Sequence, residues 1–340
     1  MSLTGDIHVF RYAANRGSIF GVNAIFSKLF ITIIALGSVT CGVAVAAADN
    51  PVDANNLARK VYAASHNEGL KNAICRRNGR SAAMLVNRVP TAMRAGRKPL
   101  VQTFDIFINN QPSDAEIDTV QMAILTSGKA KGTGVLVTRY TDPARSAILS
   151  MWLPALRKMR QINEPSHDDV WFGTNLTYGE LVLRKPEDET HEYLGEDHLQ
   201  GCLGTMAFED DEKNRFTEQL PGEQCEHKGK DVYLLKSTTK FANWWYDYHI
   251  TEIDTQRHWP YRTVYFKDGN KIKTVEVDWQ SLGEADPLLA YPRYIYALSH
   301  DDGRDSMVFV PRETIRLNTD TPDSYWSVDT VRDYLKNQGE

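Results

Sequence analysis

The chain has 340 residues, 42% of them hydrophobic and 10% aromatic, which is the composition of an ordinary folded protein with enough residues for one large core or two small ones. Setting aside the first 48 residues, which hold three basic groups and one acidic, leaves 36 Lys+Arg against 43 Asp+Glu, a net charge of −7. A chain this acidic argues against nucleic acid as a partner.

In chain order, Arg11, Arg16 and Lys28 precede an apolar run from Leu29 to about Val45. Ala44-Val45-Ala46 and Ala46-Ala47-Ala48 then offer small-residue cleavage sites before Asp49. Residues 1–48 therefore read as a secretory signal peptide. A membrane anchor is the competing reading, but a spanning helix wants about 20 apolar residues without a small-residue exit. Cys41 follows Ser38-Val39-Thr40, which lacks the Leu and the small residue that precede a lipidated cysteine.

Residues 49–118 are expected to hold a helix over 52–65, with Leu57, Val61 and Tyr62 on one stripe, and then a basic, irregular region leading into the first strand. From Val101 the period drops to two. Val101 to Ile108, Thr119 to Leu125, Gly134 to Tyr140 and Ala147 to Leu153 are apolar runs separated by Pro, Gly, Asp and Lys clusters, the pattern of consecutive antiparallel strands. The last of these continues through Pro154 into a basic stretch with Arg157 and Arg160, and is expected to be the central strand of the sheet. Ile148 and Trp152 point to one of its faces and Leu149, Met151 and Leu153 to the other. Something apolar must cover both.

Lys185 to Asp197 is charged and unassigned. Cys202 and Cys225 flank a polar loop, and a disulfide closing it is expected; Cys75 is left over. A metal site on Cys202, Cys225 and His227 is the alternative, and it lacks a fourth ligand and any CxxC or HxxxH spacing. Strands resume at Val232 to Ser237 and Asn243 to Asp254, the latter placing Trp244, Tyr246 and Tyr248 on one face. Tyr261 to Lys267 and Lys271 to Trp279 flank Asp268-Gly269-Asn270, a hairpin turn. Arg293 to Ser299, Ser306 to Val310 and a helix capped by Ser327 complete the chain. About ten strands with terminal helices, and a short helix over 176–183, exclude a βαβ architecture. The fold class is mainly β, with a large, curved antiparallel sheet.

Trp152-Leu153-Pro154-Ala155-Leu156-Arg157, with Arg160, Ile162, Phe172-Gly173-Thr174 and Leu176-Thr177-Tyr178, resembles the outer-membrane lipoprotein-sorting proteins of the LolA/LolB-like superfamily, in the periplasmic branch associated with RND-type (MMPL) exporters. Pro260-Tyr261-Arg262, Tyr265 to Asn270, Ile315 to Asn318 and Pro322-Asp323-Ser324 agree with it, so the resemblance spans about residues 119–335. The cysteine loop and the basic N-terminal region depart from the pattern. The resemblance implies a LolA-like, unclosed β-barrel with a helical lid over 119–340, enclosing an apolar cavity for acyl chains. It also implies a periplasmic location and, as partners, lipid or lipoprotein acyl chains, an inner-membrane RND-type exporter and an outer-membrane acceptor.

The cavity candidates are Leu149, Met151, Trp152, Leu153, Phe172, Tyr178, Trp244, Tyr246 and Tyr248, with Arg157 and Arg160 as head-group residues at the rim. Burial contributes ~0.8 kcal/mol per methylene, so a 14-carbon chain gains roughly 11 kcal/mol gross, and a carrier needs no nucleophile. No GxSxG, HExxH or Gly-rich phosphate loop is present, and no cofactor or metal is expected. Two other readings stand beside the carrier. One is a lipid-responsive envelope sensor on the same fold. The other is a lipid or glycan hydrolase using Asp247 and His249. His167-Asp168-Asp169 and His300-Asp301-Asp302 are read as solvated loops.

Overall fold

A computed structural model describes residues 52–337 apart from 91–95, 143, 172, 182–183 and 284–288. The signal-peptide segment, 1–48, lies outside the described residues, as does Phe172. Helix α1, Ala54–His66, is set locally at both ends. Asp53 caps it by accepting from the Asn55 amide, and Asn67, in the left-handed region at φ 51°, returns its N–H to the Ala63 and Ala64 carbonyls.

The chain then builds one antiparallel sheet. Its strands are β1 Asn72–Cys75, β2 Ala83–Arg88, β3 Leu100–Asn109, β4 Ile117–Leu125, β5 Gly134–Tyr140, β6 Ile148–Leu153 and β7 Lys158–Asn163, followed by β8 Glu189–His198, β9 Asp231–Thr239, β10 Tyr248–Asp254, β11 Pro260–Lys267, β12 Asn270–Ser281, β13 Ala290–Ser299, β14 Asp305–Phe309 and β15 Ile315–Leu317. The order is β7-β6-β5-β4-β3-β2-β14-β13-β12-β11-β10-β9-β8, with β1 bridging β3 and β15. Strands β7 and β8 do not pair, so the sheet stays open. Helix α2, Tyr178–Leu181, lies between them in sequence, and α3, Val328–Asn337, closes the chain. Among the described residues no helix is long and apolar enough to cross a membrane.

Two elements differ from expectation for clear reasons. Strand β6 is second from the edge, not central. It stops at Leu153, and Pro154–Arg157 turns the chain back, Arg157 taking φ 47°, so that Lys158 pairs with Leu153. The aromatic alternation over 243–254 is strand only from Tyr248, because Asn243 adopts φ 56° and residues 241–247 form a turn. The region 66–99 carries β1 and β2, and 189–198 carries the edge strand β8. The β11–β12 hairpin turns on Asp268 at φ 49° and Gly269 at φ 76°, the left-handed pair that a tight hairpin requires.

Both faces of the sheet are covered, which is why the inner strands carry apolar residues at successive positions. On the outer face, Leu199, just after β8, and Leu203 and Met206 of the cysteine loop pack on Met84, Val86, Tyr294, Tyr296, Met307 and Phe309. The Cys202–Cys225 disulfide closes that loop across a separation of 23 residues. Arg262 fixes it by donating to the Gln200 carbonyl at 3.1 Å, and Glu276 Oε2 accepts from the Gly204 amide at 2.7 Å. Further along the same face, Val331 of α3 and the preceding Trp326 cover Phe107, Val120, Met122, Ile124 and Leu136. Ser327 Oγ accepts from the Thr330 amide at the start of α3. On the inner face, Leu57 and Ala58 of α1 pack on Leu235 and Ile253.

Candidate functional site

The inner face is not filled. A hollow of about 200 Å³ lies between α1, residues 179–181, Arg184 and strands β9 to β13. A second, of about 300 Å³, lies between the end of α1, Trp171, Tyr178 and strands β2 to β5 and β14. Ser65, Leu181, Pro292 and Ile295 line both, so the two adjoin. Taken together, the adjoining pair falls within the ~300–1,000 Å³ of small-molecule sites, while the first alone is smaller. The wall of the second hollow is chiefly apolar, with Leu85, Phe104, Ile106, Ile108, Val308 and Val310 projecting from alternate positions of their strands.

Residues 173–181 form the roof at one end, and polar side chains of the sheet hold them there. The Asn87 amide donates to the Gly173 carbonyl at 2.9 Å, and the Asn175 side chain donates to the Ala297 and Arg304 carbonyls at 3.2 and 3.0 Å. Lys273 Nζ reaches Glu180 Oε2 at 2.5 Å and also donates to the Asn175 carbonyl. Glu180 Oε2 accepts from the Thr177 amide at 2.7 Å. Gly179 is needed here because a Cβ would sit 2.9 Å from the His167 carbonyl oxygen.

The first hollow has a polar end. His191, Ser237, His249, Tyr265 and Lys273 occupy consecutive paired positions across β8 to β12. Glu189 accepts from the Tyr246 hydroxyl at 2.6 Å and lies 3.2 Å from His249 Nε2. Burial alone would raise the Glu189 pKa, but His249, Arg184 and the Tyr246 hydroxyl outweigh it and bring it down to about 2. Burial lowers the Lys273 pKa, opposed by Glu180. The Arg184 guanidinium stands over the Tyr246 ring at 4.7 Å and near those of Tyr265 and Trp245, at 5.8 and 5.9 Å.

The structure separates the sequence candidates. Tyr178 lines the second hollow. Leu149 and Met151 pack with Val135 and Val137 on the inner face, beside that hollow and outside its lining. Trp152 lies on the other face with the cluster under α3. Leu153 is half-buried at the end of β6 and lines neither hollow. Tyr246 contacts the polar end through Glu189, whereas Trp244 packs on Phe241 at 4.9 Å and Tyr248 stacks on Phe266 at 4.8 Å. Arg157 and Arg160 are exposed on the β6–β7 hairpin and line neither hollow.

Asp247 is held by Lys267 at 2.8 Å and the Asp268 amide at 2.7 Å, while His249 lines the first hollow and meets Glu189, so the two are not an acid and base pair. Cys202 and Cys225, being bonded to each other, offer no thiolate to a metal. Sequence reading missed Arg184, Glu180, Glu189 and Lys273. The signal that could have found them is charge inside apolar runs, Leu-Val-Leu-Arg over 181–184 and Lys273 in the apolar alternation of β12.

A family described as an uncharacterized protein matches residues 118–205. Among curated proteins, none matches the chain by sequence. An outer membrane lipoprotein-sorting protein domain, so described, from Vibrio parahaemolyticus is similar in structure with a TM-score of 0.59 at 12% identity, covering 82% of this chain and 98% of that one. A DUF1329 family protein from Desulfovibrio piger gives 0.58 at 13% identity, over 82% and 97%. A LolA superfamily protein from Nitrosomonas europaea gives 0.49 at 12% identity, over 82% and 99%. With its unclosed antiparallel sheet, and with the first two of these matched along nearly their whole length, the chain has the LolA-like fold.

Proposed function

We propose that this protein is a non-catalytic periplasmic carrier that holds a lipid, or the acyl chains of a lipoprotein, between the inner face of its sheet and α1 with residues 173–181. The observation that carries the reading is the pair of adjoining hollows, walled chiefly by aliphatic and aromatic side chains on a sheet whose other face is already covered. The described lipoprotein-sorting role of the Vibrio domain with the same fold supports it. Transfer of an acyl chain between a bilayer and such an interior exchanges one apolar environment for another, so the net free energy is near zero and direction comes from partners. An inner-membrane RND-type exporter and an outer-membrane acceptor are the partners proposed, with residues 1–48 as the cleaved leader that brings the chain to them.

The test is titration with a dansylated fatty acid. Ile295 borders both hollows, so Ile295→Trp fills their junction. Wild type is expected to bind the probe at one site, Ile295→Trp to weaken it at least ~10-fold, and Trp152→Ala, on the other face, to leave it unchanged. Equal binding by Ile295→Trp and wild type contradicts the assignment of the interior, and no binding by wild type contradicts the carrier.

A further inference from the structure

We propose that Arg184 is the head-group receptor of this interior, and that the cargo is an acyl lipid ending in an oxyanion, a carboxylate or a phosphate, seated at the polar end of the first hollow. The inference rests on the carrier reading and names the chemistry of what is carried.

Arg184 lines the first hollow, and its Nε and Nη2 are buried without a hydrogen-bond partner. These two N–H groups lie side by side on one edge of the guanidinium, the fork that meets both oxygens of a carboxylate or two of a phosphate. Three other arginines of the sheet each have a carboxylate partner. Arg88 is paired with Asp305 at 2.6 Å, Arg262 with Glu276 at 2.6 Å, and Arg293 with Asp278 at 2.5 Å. Among the described residues no carboxylate lies within ion-pair distance of Arg184, because the two nearby acids are engaged elsewhere. Glu180 is held by Lys273, and Glu189 by Tyr246 and His249. Glu180 and Glu189 favour the Arg184 charge through space, but the buried Nε and Nη2 edge has no acceptor, and a bound oxyanion supplies one.

The surroundings fix the rest of the ligand. Tyr246 and Trp245 hold the guanidinium through their rings and Tyr265 through its ring and its hydroxyl, leaving the Nε and Nη2 edge free. From this end the wall turns apolar through Val275, Val277 and Ile295 toward the second hollow. An oxyanion at Arg184 therefore places an attached alkyl chain along the junction of the two hollows, with no second polar anchor required.

The test is competition against the dansylated probe by four sixteen-carbon ligands that differ only in the head: palmitate, hexadecyl phosphate, hexadecanol and hexadecylamine. A charged hydrogen bond contributes enough for roughly a 10- to 100-fold preference. Wild type is expected to bind palmitate or hexadecyl phosphate that much more tightly than hexadecanol, and hexadecylamine most weakly. Whichever of the two anions is tighter assigns the head as carboxylate or phosphate. Arg184→Gln is expected to bind all four alike while keeping the wild-type affinity for hexadecanol, which shows that the fold and the apolar interior survive. Arg184→Lys, which keeps the charge and loses the fork, is expected to fall between. Equal wild-type affinity for palmitate, hexadecyl phosphate and hexadecanol overturns the receptor while leaving the carrier standing, as does an Arg184→Gln protein that still prefers the anions. Failure of all four ligands overturns both.

Discussion

Lys273→Met probes the tie between the sheet and the roof of the interior. The Lys273 and Glu180 side chains are 7% and 2% exposed, so water cannot replace what either loses. Substitution removes the 2.5 Å ion pair and the bond to the Asn175 carbonyl. Glu180 keeps only the Thr177 amide on Oε2, and its Oε1 already has no partner. Breaking a buried pair from one side costs about 3–5 kcal/mol, mostly for the charge left behind. With a urea slope of about 3 kcal/mol/M, at the upper end for small domains, the unfolding midpoint falls by about 1–1.7 M. Tryptophan fluorescence follows it, since Trp245 lies 5.0 Å from Lys273 Nζ. Glu180→Gln combined with Lys273→Met removes both charges and keeps an acceptor for Thr177, so it is expected to recover at least half of the loss. A cost below about 1 kcal/mol for Lys273→Met, or a double variant as unstable as the two singles summed, refutes the reasoning.

Three further outcomes are expected. Cys202→Ser with Cys225→Ser opens a loop of 23 residues' separation and costs about 3 kcal/mol in the same urea assay; an unchanged midpoint would show that the outer-face packing holds the loop unaided. The folded Glu189 pKa, about 2, lies below its unfolded value. Its stabilising contribution, on the order of 3 kcal/mol, is therefore complete above pH ~4.5 and is lost as the pH falls toward 2. Glu189→Gln should flatten the loss of stability over that window when midpoints are compared at pH 5, 4 and 3. Burial and then Asp105 push the Cys75 thiol up to about 12, so maleimide added to the native chain beginning at Asp49 should label nothing at pH 7.5, and one thiol after denaturation.

The sequence made the interior strands legible because their environment repeats every two residues, as in β4, where Val120, Met122 and Ile124 are buried on one face. It hid the edges. Strand β7 is KMRQIN, exposed along nearly its whole length, and β8 is polar at most positions, so neither shows an apolar period. Strand β2 was hidden for the opposite reason, since Ala83 to Val86 are buried without alternation. Periodicity also divides side chains between two faces without saying which face is hollow, so Trp152 and Leu149 were equal candidates until α3 covered the one and not the other. The polar end of the interior is legible only in three dimensions. Glu180 and Lys273 are 93 residues apart in the chain, and Glu189 and His249 are 60.

The central claim is that the inner face holds a lipid, and native mass spectrometry of the protein isolated without detergent from a bacterial envelope tests it most directly. The account predicts an added mass of one acyl lipid on the wild-type chain, released on denaturation and absent from Ile295→Trp. A wild-type chain that carries no added mass, and gains none when mixed with vesicles of envelope lipid, contradicts it.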